Sequence, residues 1–197
     1  MSQRIDHMIY RISLFILSAF FVSFLQAAQN TKPIVCDQDY VLCTSAPCIP
    51  DPRHDGFAIC TCDVEKGNSV GYKSCEKRAP QVKQFKIKQL VSTFSFKQFK
   101  TKKGMTCARG KPWTDCVDAP CTLNPRNPDK AICSCKLKHD QTFVTFGGQC
   151  KTDTCSSGFW SGAQISSSTQ LRNALLNALN ITQNPWTDVT CPVADKH

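Results

Sequence analysis

Apolar and polar positions alternate with a period of two in several short stretches of this chain. They take a helical period once. Ala58-Ile59-Cys60-Thr61-Cys62 and Ala131-Ile132-Cys133-Ser134-Cys135 each read as a short strand with both cysteines on one face. Two sulfurs on one face of one strand are expected to bridge to two different partners. Phe85 and Ile87 alternate with Lys86 and Lys88, and Phe94 and Phe96 alternate with Ser95 and Lys97. This predicts one or two further strands with apolar residues inward and lysines outward. The helical period lies in Leu171, Ala174, Leu175, Ala178 and Leu179, with Ser167 and Gln170 as a capping box and Asn184-Pro185 as the stop. A different pattern opens the chain. Arg4 and Arg11 flank the start, Ile12 to Leu25 is an uncharged, mostly apolar run, and Gln26-Ala27-Ala28 offers small residues for cleavage. Residues 1–28 are thus expected to be a signal peptide. The run is shorter than the roughly 20 residues of a membrane-spanning helix. No later stretch is apolar enough to span, so the mature chain is expected to carry no transmembrane segment.

The stretch from Cys43 to Cys62 recurs from Cys116 to Cys135 without a gap, and ten of its 20 positions are identical. Four cysteines keep their register in both copies. Extended outward, each copy has six: Cys36, Cys43, Cys48, Cys60, Cys62 and Cys75, then Cys107, Cys116, Cys121, Cys133, Cys135 and Cys150. The three central gaps are identical between copies. The outer gaps hold 6 and 12 residues in the first and 8 and 14 in the second. Cys155 and Cys191 remain, and a bridge between them would clamp the C-terminal helix. Cys150 is also free, by spacing, to pair outside its own copy. All 14 cysteines follow the predicted leader, which reads as a disulfide framework in an oxidising compartment. Cys-x2-Cys is absent and His54, His139 and His197 are scattered, so neither a metal nor another cofactor is expected.

The fold class this predicts is a small, disulfide-rich, mainly β protein. Cysteine-rich modules at 36–75 and 107–150 would be joined by a basic, aromatic β connector at 76–106. A C-terminal helical segment, 151–197, would follow. The cysteine order and gaps of Cys36–Cys75 and Cys107–Cys150 resemble those of the EGF-like module. That resemblance implies small β-hairpins and pairing of first with third, second with fourth and fifth with sixth cysteine. The sequence departs from the family in placing Gly71-Tyr72 just before Cys75 and in lacking an acidic calcium-binding pattern before Cys36 or Cys107.

Charge narrows the functional classes. The chain carries a formal net charge of +9, and the excess of basic residues is concentrated between Glu76 and Lys103. Lys83, Lys86, Lys88, Lys97, Lys100, Lys102 and Lys103, interleaved with phenylalanine, form a candidate anion-binding surface. Its partner would be an anionic polymer or membrane surface, or a protein. Nucleic acid fits the charge but not an exported compartment. The structural alternative is a strand whose lysines guard an edge against aggregation. Arg53 and Arg126 recur after proline in the two copies and serve either as partner contacts or as turn residues. Trp113, in a longer loop of the second copy, is a candidate surface contact, whereas Trp186 behind Pro185 reads as core. Asn180-Ile181-Thr182 is a glycosylation sequon, relevant only in a eukaryotic secretory pathway. Gly-x-Ser-x-Gly is absent, no acid pair stands out, and Cys-x-Cys repeated at fixed gaps reads as structural. The expectation is a secreted or periplasmic, non-catalytic binding protein. An enzyme inhibitor or toxin-like effector that presents a disulfide-braced loop is the alternative.

Overall fold

A computed structural model describes residues 32–43, 46–83, 87–97, 103–110, 112–139, 141–147 and 159–183. The predicted leader, Lys86, Lys100, Lys102, Trp186, and Cys150, Cys155 and Cys191 lie outside these residues. In chain order the elements are β1 (Ile34–Leu42), β2 (Cys48–Pro50), β3 (Phe57–Gly71), a short helix α1 (Cys75–Arg78), β4 (Gln81–Val82) and β5 (Lys88–Val91). They continue with β6 (Lys103–Cys107), β7 (Trp113–Asp115), β8 (Pro120–Asn124), β9 (Asn127–Lys138), β10 (Phe143–Gly147), β11 (Ser161–Gln164) and α2 (Ile165–Ala178). The described residues form a mainly β, disulfide-rich fold with a short helix near the C-terminal end.

The alternation read from the sequence fixes how β3 and β9 lie. Ala58, Cys60 and Cys62 are buried and Thr61 and Asp63 exposed; Ala131, Cys133 and Cys135 are buried and Ile132 and Lys136 exposed. The two strands pair antiparallel with Cys60 opposite Cys133, Ala58 opposite Cys135 and Cys62 opposite Ala131. Each position therefore faces its own counterpart or that counterpart's mirror partner, which defines a local twofold axis between Cys60 and Cys133. The axis also relates β2 with β8 and β1 with β7. Cys48 opposite Cys60 on β2 and β3 matches Cys121 opposite Cys133 on β8 and β9. Tyr40 opposite Glu65 matches Trp113 opposite Lys138. The two copies thus share one sheet through their central strands.

The differing outer gaps also have a structural meaning. β1 of the first copy corresponds to β6 and β7 of the second, and β3 corresponds to β9 and β10. β6 pairs with β10, and β7 with β9. Between the two ladders lie five residues on one side, 108–112, and four on the other, 139–142, so the register changes by one residue between Trp113 opposite Lys138 and Cys107 opposite Phe143.

The disulfides are nested. Cys36 pairs with Cys75, Cys43 with Cys62 and Cys48 with Cys60; in the second copy Cys116 pairs with Cys135 and Cys121 with Cys133. Cys107 is also disulfide-bonded. In the first copy, first joins sixth, second joins fifth, and third joins fourth. This corrects the pairing that the EGF-like resemblance implies. The physical reason lies in the hairpin: β2 folds straight back on β3, so residues directly opposite come within bonding reach, and the Cys48–Cys60 Cα separation is 4.2 Å. The four inner bridges pair equivalently in the two copies, as identical gaps require.

The middle of the stretch read as a connector is interior. Ser92, Thr93, Phe94 and Ser95 are buried. Ser92 N–H donates to Ala119 O at 2.9 Å, Asp118 N–H donates to Ser92 O at 2.8 Å, and Thr93 N–H donates to Val41 O at 2.9 Å. Phe94 and Val70 exchange both backbone hydrogen bonds. Ser161 plays the matching part near the C-terminal end: its N–H donates to the O of Ala46, the counterpart of Ala119, at 3.1 Å. Each copy thus ends in a strand that reaches across to the other copy. The repeat extends past the last cysteines into segments with little sequence identity.

Two cores follow. One consists of sulfur and small side chains on the twofold axis: Cys43, Cys60, Cys62, Cys116, Cys121, Cys133 and Cys135 with Val41, Leu90 and Ala131. The other packs Leu171 and Leu175 of α2 onto Val70, Phe94 and Phe146. α2 begins at Ile165, before the expected capping box, and makes no side-chain cap hydrogen bond. It ends at Ala178, short of the expected stop at Asn184. Asn180 takes φ 51°, Ile181 N–H donates to Leu176 O at 3.0 Å, and Asn180 N–H donates to Asn177 O at 3.4 Å. That is a Schellman ending with asparagine in the left-handed position, and it closes the helix before proline is reached.

Candidate functional site

Of the lysines expected to bind anions, those whose side chains are described divide in two. Lys88 pairs with Asp39 at 3.1 Å, and Lys97 pairs with Glu65 at 2.6 Å. Both carboxylates belong to the first copy, so these lysines tie the connector to β1 and β3. Exposed pairs of this kind contribute about 0–1 kcal/mol each. Lys83 is exposed beside β4. Lys103 lies in β6.

Arg53 and Arg126 occupy equivalent hairpin turns, where their backbones do the same work. Arg53 N–H donates to Asp51 Oδ1 at 2.9 Å, and Arg126 N–H donates to Asn124 Oδ1 at 3.0 Å. An Asp or Asn side chain closing on the amide two residues later holds the turn. The Asp51 side chain is 4 % exposed while that of Arg53 is 77 % exposed. Hydrogen bonds from Arg53 N–H and then from His54, 3.1 Å from Asp51 Oδ2, hold the Asp51 carboxyl below its ordinary range. The turns explain why the residues recur, and they leave the Arg53 side chain projecting outward.

Trp113 is not a surface residue. It is fully buried and stacks on Phe143 with ring centroids 5.2 Å apart and planes 12° apart. Its position in β7 next to β9 turns the ring inward, matching buried Tyr40 in β1. Burial first, and the nearby Glu65 in addition, push the Tyr40 hydroxyl up to about 12, although its hydrogen bond to Ser95 Oγ at 2.8 Å acts the other way. A tryptophan next to a longer loop looked accessible; the strand pairing that buries it is not a local property.

A feature the sequence did not signal lies where α1 meets the second copy. Arg78 is buried, donates to Ile34 O at 2.7 Å and touches Cys36 Sγ. Asp118 accepts hydrogen bonds from Tyr72 N–H at 2.7 Å and Lys73 N–H at 3.1 Å. The two charged groups flank Gly71, and burial lowers the Arg78 guanidinium while Asp118 opposes that shift. Lys73 Nζ also donates to Asp118 O at 2.8 Å. Beside this contact opens a groove of about 210 Å³, lined by Lys73, Lys77, Gln81, Gln89, Leu90 and Pro120 among others. Its lining combines two lysines and two glutamines with Leu90 and Val91 of β5 and Pro120 of β8.

Two groups of three cysteines, Cys43 with Cys62 and Cys133 and Cys43 with Cys116 and Cys135, bring their sulfurs within 4.8 Å. Every one of these sulfurs is in a disulfide and so offers no thiolate to a metal. Among the described residues no helix is long and apolar enough to cross a membrane.

Fold and site together define a small disulfide-stabilised, mainly β domain with a basic groove on one flank. No protein-family model matches the chain, and no curated protein or solved structure matches it either.

Proposed function

We propose that this is an exported, non-catalytic binding protein that engages an anionic glycan or an acidic membrane surface and requires no cofactor. The observation that carries the reading is the groove beside α1. Lys73 and Lys77 line it, Gln81 and Gln89 offer hydrogen bonds, and exposed Lys83 follows Gln81 by two residues in the chain. Clustered ammonium groups around a concave polar surface raise the local concentration of anions, and the effect is screened over about 8 Å at physiological salt. Lys97, grouped with these residues by sequence, is occupied by Glu65, so the proposed footprint moves toward Lys77 and Lys83. Export rests on the leader pattern and on the disulfides, which persist in oxidising compartments.

The test is binding of the purified protein to immobilised heparin and to vesicles containing phosphatidylserine, at low and at high salt. Binding that falls with salt is expected. Lys77→Gln with Lys83→Gln should reproduce the effect of salt in the absence of added salt. A wild-type protein that binds neither surface at low salt would overturn the reading.

The hairpin turn 51–56 favours a second reading. Asp51 braces it, the Cys48–Cys60 bridge closes its base, and Arg53 projects outward. A rigid loop presenting one arginine suits insertion into an enzyme cleft, as an inhibitor would. Inhibition of an arginine-specific protease that is lost in Arg53→Ala, with heparin binding retained, would favour this alternative.

A further inference from the structure

The geometry points to Cys48–Cys60 as a disulfide that exchanges with a small dithiol, with the exchange then passed across the twofold axis to Cys116. Three observations carry this. The first is a break in the internal symmetry. Cys121, in β8, is buried, and β5 pairs along its edge with Leu90 directly opposite. Its counterpart Cys48, in β2, is only half-buried, and among the described residues β2 pairs with β3 alone. Of these two equivalent bridges, only Cys48–Cys60 includes a cysteine that is not fully buried.

The second observation is contact between bridges. Cys60 Sγ lies 3.6 Å from Cys116 Sγ, though each is bonded to a different partner. That is van der Waals contact between sulfurs of two disulfides. The third is Thr114, buried in β7. Its Oγ1 lies 3.2 Å from Cys48 Sγ and 3.6 Å from Cys60 Sγ. The hydroxyl donates to Phe159 O at 3.3 Å, and from the same position it can turn to donate to a thiolate that forms on Cys60.

The chemistry closes without a further reactant. A thiolate of the dithiol attacks Cys48 Sγ, the Cys48–Cys60 bond breaks, and Cys60 leaves with the electron pair as a thiolate. Cys60 then attacks Cys116 Sγ. A Cys60–Cys116 bond forms, the Cys116–Cys135 bond breaks, and Cys135 leaves as a thiolate that takes a proton from water. The second thiol of the dithiol attacks its own sulfur bound to Cys48, closes to a cyclic disulfide and frees Cys48 as a thiol. The dithiol is oxidised by two electrons. The protein has exchanged two disulfides for one, now joining the two copies, and two thiols. The ligand class is a dithiol, either a small molecule or the paired thiols of a reductase.

The experiment uses the full secreted protein and substoichiometric dithiothreitol, with acid quenching, N-ethylmaleimide alkylation and mass mapping of peptic peptides. The expected product is a Cys60–Cys116 linked peptide with alkylated Cys48 and Cys135. Thr114→Val should slow its appearance several-fold without altering which sulfurs are joined. Cys116→Ser with Cys135→Ser should instead give alkylation of both Cys48 and Cys60. Two wild-type results would overturn the proposal: Cys48 and Cys60 alkylated together while Cys116–Cys135 stays intact, or Cys121–Cys133 opening before Cys48–Cys60. Both are read on the wild-type chain, so neither depends on a variant folding.

Discussion

Cys60 and Cys133 stand directly opposite each other on β3 and β9, and each is the other's counterpart in the internal repeat. A duplicated segment therefore pairs with itself at its most buried point. Each copy is near 40 residues, a size at which a chain buries too little apolar surface to fold alone without staples. Joining the copies edge to edge covers one edge of each central strand and gathers four disulfides into one interior. Ala58 and Ala131, both fully buried, flank the axis and leave room for the sulfurs.

The inner bridges should carry stability in proportion to the disorder they prevent. Cys121 and Cys133 are 12 residues apart. Replacing both with alanine should cost about 2–4 kcal/mol by the loop-closure account. Urea unfolding of the double variant against wild type checks this. A loss well under 1 kcal/mol would show that the strand ladder holds the hairpin without its bridge.

Gly71 should tolerate no side chain. A Cβ built there would lie 2.4 Å from Asp118 Oδ1 and 3.3 Å from Arg78 Nη1. Gly71→Ala must push Asp118 off the amides of Tyr72 and Lys73, or shift the strand. The expected destabilisation is about 1–3 kcal/mol, the usual cost of overpacking. Thermal unfolding reads it directly, and an unchanged midpoint would mean that Asp118 moves freely.

Trp113 separates a core role from a binding role. Trp113→Ala removes the stacking partner of Phe143 and leaves a cavity. The expected cost is about 3–5 kcal/mol. Binding to heparin or vesicles, measured where the variant is still folded, should be unaffected. Selective loss of affinity with stability unchanged would contradict the buried position.

Asp51 predicts an acid limb in the stability curve. Its carboxyl is held below the ordinary value of 3.8 by the Arg53 amide and then by His54. A group whose folded pKa is depressed contributes stability above its unfolded pKa, and that contribution is lost as pH falls through the folded pKa. Stability should therefore decline below about pH 4, the unfolded carboxyl range. Asp51→Asn should flatten that limb and lower stability at neutral pH by about what wild type loses in acid, because an amide can still close the turn, as Asn124 does, but lacks the ionised carboxyl. Unfolding midpoints from pH 2 to pH 7 for the two proteins decide it.

Local physics wrote part of this fold into the sequence. Period-two alternation placed Cys60 and Cys62 on one face of β3, and identical gaps required equivalent bridges in the two copies. The apolar stripe through Leu171 and Leu175 located α2 within a few residues. Its ends were misjudged because Ser167 has a good capping spacing but the chain turns helical earlier, and because Asn180 adopts a left-handed conformation that spacing does not reveal. The candidate surface was legible only as charge. Which lysines were free depended on whether Asp39 and Glu65 arrived beside Lys88 and Lys97, and those partners are 49 and 32 residues away.

By itself the sequence determined the class of protein: a disulfide-rich, mainly β chain built on a duplicated frame, with its positive charge gathered between Glu76 and Lys103. Only the tertiary structure decided that the copies share one sheet, that the cysteines nest, and that Trp113 lies inside. It also decided that Ser92 and Ser161 do equivalent work. The reason is common to all four. Each depends on which strand lies next to which, and strand pairing is set by long-range contacts whose partners leave no local mark on the residues between them.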